Sequence, residues 1–211
     1  MDKKGIFITL EGGEGSGKST LLPKLKQFFE QHNYSVTTSK EPGGTAIGTK
    51  IRRFILDACE EFQNPSTELL LFIADRLEHI KQVLQPALNK GDIVICDRYI
   101  DSTYAYQIGG RKLDPQIVET LSNMIPLIPD LTLLLDLDPQ KGLARAAKRS
   151  APDRFEKENI NFHQAVRNMY LQRAKDFPER IKVFDTTNQN PEEVFNFTSQ
   201  FLLSKVKGDH A

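Results

Sequence analysis

The sequence predicts an α/β fold of three layers: a five-stranded parallel sheet with helices on both faces, joined by right-handed crossovers. Three observations lead there. Five short β-prone runs, at residues 5–10, 34–38, 92–97, 131–136 and 181–184, alternate with segments of helical apolar spacing. The first run enters a glycine-rich loop from which a helix leaves, and the third ends in a carboxylate, Asp97. That is how a parallel sheet delivers polar groups to the carboxyl edge of its strands.

The loop Gly12-Gly13-Glu14-Gly15-Ser16-Gly17-Lys18-Ser19-Thr20 fits G-x-x-x-x-G-K-[ST] at Gly12, Gly17, Lys18 and Ser19. Glycines let successive backbone N–H groups turn inward around a phosphate, where a Cβ would block the turn and the close approach. Lys18 adds a charge for the outer phosphates, and Ser19 offers a hydroxyl to a magnesium ion. The mostly apolar Gly5–Leu10 run upstream and the spacing of Leu21, Leu22, Leu25, Phe28 and Phe29 downstream supply the strand and helix this cradle requires.

Residues 34–38 form the second strand and lead into the Pro- and Gly-marked loop Lys40-Glu41-Pro42-Gly43-Gly44-Thr45. Ile47, Ile51, Phe54 and Ile55 make a short helix carrying Arg52 and Arg53, either aimed at an acceptor phosphate or solvated. The longest helix covers residues 66–89, with Ser66 or Thr67 as its cap and an apolar stripe of Leu69, Phe72, Ile73, Leu77, Ile80 and Leu84. Phe72 and Arg76 share one face, where a ring beside a forked donor suits a nucleobase. Taken alone, Phe72 also reads as core and Arg76 as a surface charge.

Asp97 closes the third strand where a magnesium ion would sit, and the following Arg98 to Gln107 run is dense in hydroxyls, amides and aromatics, as a ligand wall should be. Asp136 closes the fourth strand and is its rival. Arg145, Lys148, Arg149, the break at Pro152, and Arg154 outline an arginine-rich lid over residues 145–156. A helix around Phe162, Val166, Met169 and Tyr170 follows, then the last strand and a closing helix through Val194, Phe197, Phe201 and Leu202, with residues 205–211 expected to fray.

The length of 211 residues, without repeat or linker, predicts one domain over 1–211. Net charge is zero with 27% charged residues, so there is no basic field of the kind that sustains nucleic-acid binding. No apolar run reaches the ~18 residues of a membrane span, no secretory leader opens the chain, and Cys59 and Cys96 do not read as a disulfide scaffold. A cytoplasmic protein is expected.

The residues resemble the thymidylate kinase family, which phosphorylates dTMP to dTDP. The resemblance rests on Glu11-Gly12 with the phosphate loop, Glu41-Pro42-Gly43-Gly44-Thr45, the Phe72 and Arg76 helix, Asp97-Arg98-Tyr99 with Ser102-Thr103 and Ala105-Tyr106-Gln107, and Asp153-Arg154-Phe155-Glu156, in family order over residues 6–156. It implies a P-loop nucleoside-monophosphate-kinase-like fold. It implies ATP phosphates held by Lys18 and the loop, magnesium served by Ser19 and Asp97, and Glu14 near the acceptor 3′-hydroxyl. Arg98, helped by Arg52, would bind the acceptor phosphate and the moving phosphoryl. Phe72 would stack on thymine, Arg76 would donate to its O4, Ser102, Thr103 and Gln107 would line the acceptor site, and Tyr106 would crowd the 2′ carbon. Because the loop lacks arginine, the subclass with lid arginines is implied, with Arg149 as the catalytic one and Arg145 and Arg154 as rivals on ATP. A homodimer joined through helices is also implied. Two positions depart from the usual pattern: Lys40, where many bacterial members have arginine, and Pro23, inside the first helix.

Overall fold

A computed structural model describes residues 5–56, 62–148 and 153–208. Strand β1 (Ile6–Glu11) pairs in parallel with β3 (Ile93–Asp97) on one side and β4 (Leu131–Asp136) on the other. The edge strands β2 (Val36–Lys40) and β5 (Ile181–Asp185) complete the parallel order β2-β3-β1-β4-β5. Chain order reverses direction beside β1, so the crevice at its carboxyl end is where such a sheet takes a ligand. The three central strands are buried almost throughout, which is why they read as continuous apolar runs rather than alternating ones.

Side chains alternate across the sheet and sort the helices. Ile6, Ile8 and Leu10 face α1 (Lys18–Gln31) and the closing helix α9 (Pro191–Gly208), packing with Leu21, Leu25, Phe29, Leu202 and Val206. Phe7, Val94 and Cys96 face the opposite way, onto Leu69 and Ile73 of α3 (Pro65–His79). Thr9 and Glu11 share that second face of β1. They are buried polar groups there, Thr9 against Thr132 at 2.7 Å and Glu11 below the site described next.

Helix α2 (Ala46–Leu56) packs on α3. The long helix starts one residue earlier than expected and is capped differently: Asn64 Oδ1 accepts the Ser66 N–H at 2.9 Å, and Pro65 fills the first helical position, where its missing N–H costs nothing. Nor is it one continuous α-helix. It passes through a π-helical stretch, Ile80–Leu84, into the short α4 (Gln85–Asn89), because Pro86 can neither donate to the preceding turn nor fit against it. After β3 come α5 (Ile100–Thr103), a second π-helical stretch, Tyr104–Gly110, and α6 (Pro115–Ser122). Helix α7 (Pro139–Ala147) is capped by Asp138 and α8 (Ile160–Asp176) by Asn159. Helix α1 runs on through Pro23, giving up only the bond its N–H would have made.

The expected fraying is corrected for residues 205–208, with 209–211 outside the described residues: α9 continues to Gly208, and Val206 is fully buried in the core beside Leu202. A side chain one turn beyond Leu202 on the same helical face meets the same sheet surface. Val206→Ala is therefore expected to destabilise by about 1–2 kcal/mol. The measurement is the urea midpoint at unchanged m-value, and a wild-type midpoint would mean that this turn contributes nothing.

Candidate active site

The phosphate loop follows β1 directly and ends as α1 begins at Lys18. Gly12 and Gly15 are required there: both have positive φ, 140° and 67°, and a Cβ would lie 2.4 Å from Leu135 O and 2.1 Å from Gly142 O. Lys18 folds over the loop, its Nζ donating to Gly12 O at 2.9 Å and Gly13 O at 3.0 Å. Burial and then the Arg98 charge bring its ammonium down to about 8, against the pull of Asp97, Glu14 and Glu11.

Two cavities open on this loop. The first, of about 350 Å³, is lined by residues 14–19 and by Arg52, Phe72, Arg76, Asp97, Arg98, Ser102, Thr103, Tyr106 and Gln107, together with Lys40, Glu41, Pro42 and Phe155 among others. The second, of about 360 Å³, lies against Gly15, Ser16, Gly17, Ser19, Thr20 and Leu21 and is closed by Arg145, Thr186, Gln189 and Pro191. Gly15, Ser16, Gly17 and Ser19 belong to both, so the cradle stands between two ligand spaces.

Arg98 is the centre of the first cavity. It follows Asp97 with φ of 70° and donates through Nη2 to Glu14 Oε1 at 2.6 Å. Through Nη1 it donates to Gly12 O at 3.0 Å and Tyr170 Oη at 3.2 Å. Burial alone would raise the Glu14 carboxyl, but Arg98, then Lys18 and the Tyr106 hydroxyl at 2.7 Å, outweigh it and hold it at about 2. Behind Arg98, Glu11 accepts from Tyr99 N at 2.8 Å, Ser102 Oγ at 2.6 Å and Tyr170 Oη at 3.0 Å. Burial, followed by the neighbouring Asp101, pushes Glu11 up to about 7.

The far wall is aromatic and guanidinium. Phe72 is half-buried with Phe155 at 6.3 Å between ring centroids, and Tyr106 meets Phe155 edge to face at 5.5 Å. Arg76 is buried, not a surface charge, donating through Nε to Glu41 Oε2 at 2.7 Å and through Nη1 to Thr103 Oγ1 at 2.8 Å. Arg52 donates to Pro42 O at 2.9 Å and lies beneath Gly43 at the rim.

Of the two strand-end carboxylates, Asp136 is taken by Arg167, which donates to both oxygens at 2.7 Å. Asp97 lines the first cavity with Ser19, and among the described residues its buried Oδ1 has no hydrogen-bond partner. A carboxylate oxygen left unpaired beside a hydroxyl at a phosphate cradle fits magnesium, which prefers hard oxygen donors.

The expected set is thus largely brought together. Gly12 and Gly13 form the back of the loop, with their carbonyls on Lys18. Thr20 and Arg145 line the second cavity, where Arg145 reaches Thr187 O at 3.2 Å. Arg154 lines neither cavity: it donates to Glu68 and to Ile55 O at 3.0 Å, and the structure does not group it with Arg145. Arg149 lies outside the described residues. Glu11, visible only as part of the Glu11-Gly12 motif, carries much of the wiring with Glu68 and Tyr170, which had no local signal. Tyr170 reads as one more apolar position of a helix stripe, and Glu68 as an acid in a helix first turn.

A phosphate cradle shared by two cavities, one with an unpaired carboxylate and a base-sized aromatic wall, defines a kinase that moves a phosphoryl group between two nucleotide-like ligands. A family model described as thymidylate kinase matches residues 10–197. The chain is 42% identical over 208 residues to a thymidylate kinase from Hahella chejuensis, covering 98% of this chain and 100% of the relative. It is 48% identical over 208 residues to one from Pseudomonas fluorescens strain SBW25, covering 97% and 99%. Among solved structures, thymidylate kinase from Ehrlichia chaffeensis superposes with a TM-score of 0.75 at 30% identity, covering 97% and 99%. The chain belongs to the thymidylate kinase family.

The Glu14–Arg98 pair has a pH signature. Since the folded carboxyl sits near 2 rather than at its ordinary 4.5, the pair stabilises the fold above pH 4.5, and that contribution drains away as pH falls toward 2. Thermal unfolding of the wild type is expected to lose more between those limits than Glu14→Gln does. Parallel profiles for the two proteins would remove the pair from the acid stability.

Proposed function

We propose that this chain transfers the γ-phosphoryl of ATP to dTMP, giving dTDP and ADP, with the donor nucleoside in the second cavity and the acceptor in the first. The single observation that carries this is the cradle between the two cavities, because it lets one set of cations meet both phosphorylated ligands. Lys18 and the loop N–H groups hold the ATP phosphates. Arg98, with Arg52 at the rim, takes the acceptor phosphate and steadies the charge on the moving phosphoryl. Phosphoryl transfer asks little covalent chemistry of a protein, so alignment and fixed charge supply the rate.

Glu14, kept ionised, orients Arg98 and faces the 3′-hydroxyl, while Tyr106 stands against the 2′ carbon. Phe72 stacks on thymine, Arg76 donates to O4, and Ser102, Thr103 and Gln107 complete the pocket. Ser19 and Asp97 would hold magnesium, which would offset phosphate charge during transfer. Arg145 sits on the ATP side. Residues 145–156 would act as the lid of one domain spanning 1–211, with Arg149 as its catalytic arginine. Among the described residues no helix is long and apolar enough to cross a membrane. The proposal includes a cytoplasmic homodimer, supported by the free Cys96 thiol and by the exposed Leu70 on α3.

The test is ADP release from ATP and magnesium with dTMP, dUMP, dCMP, dGMP, thymidine or no acceptor. Turnover should favour dTMP, with dUMP a weak second, and vanish without acceptor. ADP release independent of acceptor, or a preference for thymidine, would defeat the proposal. Lys18→Ala should lower kcat by roughly 100-fold or more. Phe72→Ala should raise the KM for dTMP about tenfold while sparing that for ATP, and equal effects on the two would take Phe72 out of the base site.

A further inference from the structure

The base wall of the first cavity has a fixed hydrogen-bond polarity, and one residue behind it sets half of that polarity. Arg76 can only donate. Gln107, 1% exposed, lines the cavity and donates through Nε2 to Glu68 Oε1 at 2.8 Å. A carboxylate only accepts, so the amide nitrogen is the end that turns to Glu68, and Oε1 is the end left for a ligand. Glu68 itself, also 1% exposed, is outside the cavity lining, in the first turn of α3. It is anchored from behind by two guanidiniums: Arg111 Nε donates to Oε1 at 3.3 Å, and Arg154 donates to Oε2.

We infer that Glu68 is a specificity-positioning residue, which locks the Gln107 carboxamide with its oxygen toward the bound base. This rests on the acceptor site proposed above. The wall then sets a donor, Arg76, beside an acceptor, Gln107 Oε1. A pyrimidine with a 4-oxo group and an N3–H is the complement of that pair. A 4-amino pyrimidine presents an N–H to the guanidinium and a lone pair to the carboxamide oxygen, so both contacts are reversed and the buried polar groups go unpaired. Without an obligate acceptor at residue 68, the carboxamide turns half a revolution and serves either base. Glu68 thus acts on selectivity through Gln107 while touching no substrate.

The experiment measures kcat/KM for dTMP and dCMP with the full chain, for wild type, Glu68→Gln, Gln107→Leu and the double variant. Glu68→Gln should lower the dTMP to dCMP ratio about tenfold, with the KM for ATP unchanged. It should lower that ratio no further once Gln107 is replaced, because the two act as one unit. A residue with only a structural role would slow both acceptors alike. An unmoved ratio, or an equal fall with and without Gln107, would overturn the inference. If Glu68→Gln does not fold, Glu68→Asp keeps the charge for Arg111 and Arg154 while withdrawing the acceptor from Gln107. The same fall is expected, and an unmoved ratio overturns the inference. A wild type inert toward dTMP defeats the parent function and this inference together, whereas an active wild type with unmoved variants defeats only the role of Glu68.

Discussion

A buried cation must have a partner before any substrate arrives, because an unpaired charge away from water costs several kcal/mol. Two cations of the first cavity, the buried Arg76 and the largely buried Arg98, take carboxylate partners from loops at the sheet edge. The loop after β1 brings Glu14 to Arg98, and the loop after β2 brings Glu41 to Arg76. Register makes this possible. Arg98 N bonds to Leu10 O on one side of the β3 end, and Glu41 N bonds to Asp97 O on the other. Parallel strands ending at one level therefore place acid, base and metal-seeking carboxylate within a few side-chain lengths of each other.

The same pairing sets the electrostatics of transfer. Arg98 is held in a left-handed conformation that costs a non-glycine residue on the order of 1 kcal/mol. Its guanidinium contacts with Glu14, Gly12 O and Tyr170 oppose that cost and fix its direction. Donors fixed in this way need little rearrangement when charge develops on a transferring phosphoryl group, which is the main source of electrostatic catalysis. Arg76 is fixed in the same manner by Glu41 and Thr103, so both guanidiniums of the first cavity are held in place before it is filled.

What the sequence made legible is what local spacing encodes. The phosphate loop, the strand-end Asp97 and the Phe72 to Arg76 spacing are contained in windows of a few residues, and the five strands announce themselves by composition. What it hid depends on distance along the chain. Tyr170 meets Glu11 across 159 residues, and nothing about a tyrosine in an amphipathic stripe distinguishes an oxygen that holds a buried carboxylate from one that meets water. Glu68 resembles any acid that favours a helix N-terminus, yet it receives Gln107, Arg111 and Arg154 from three later segments. Residues 205–208 look polar and terminal, and only the sheet surface beneath α9 gives Val206 something to bury against.

The deepest layer of the site shows how two neighbouring buried acids can coexist. Asp101 and Glu11 repel one another, and each is buried, which by itself disfavours both charges. Asp101 escapes because Arg180 and Arg173 bond to it, at 2.7 Å and 3.0 Å, and hold its carboxyl below the ordinary range despite burial. Among the described residues Glu11 has no such ion pair. It relies on the Tyr99 amide and the Ser102 and Tyr170 hydroxyls, and its carboxyl stays near 7. Those hydroxyls, 2.7 Å apart, lie between Glu11 and Arg98 and accept from Arg98 Nη1. One nitrogen of Arg98 is thereby kept by neutral oxygens, while the other faces the charged Glu14. An arriving phosphate can then compete for a single charged contact without dismantling the scaffold that aims the guanidinium.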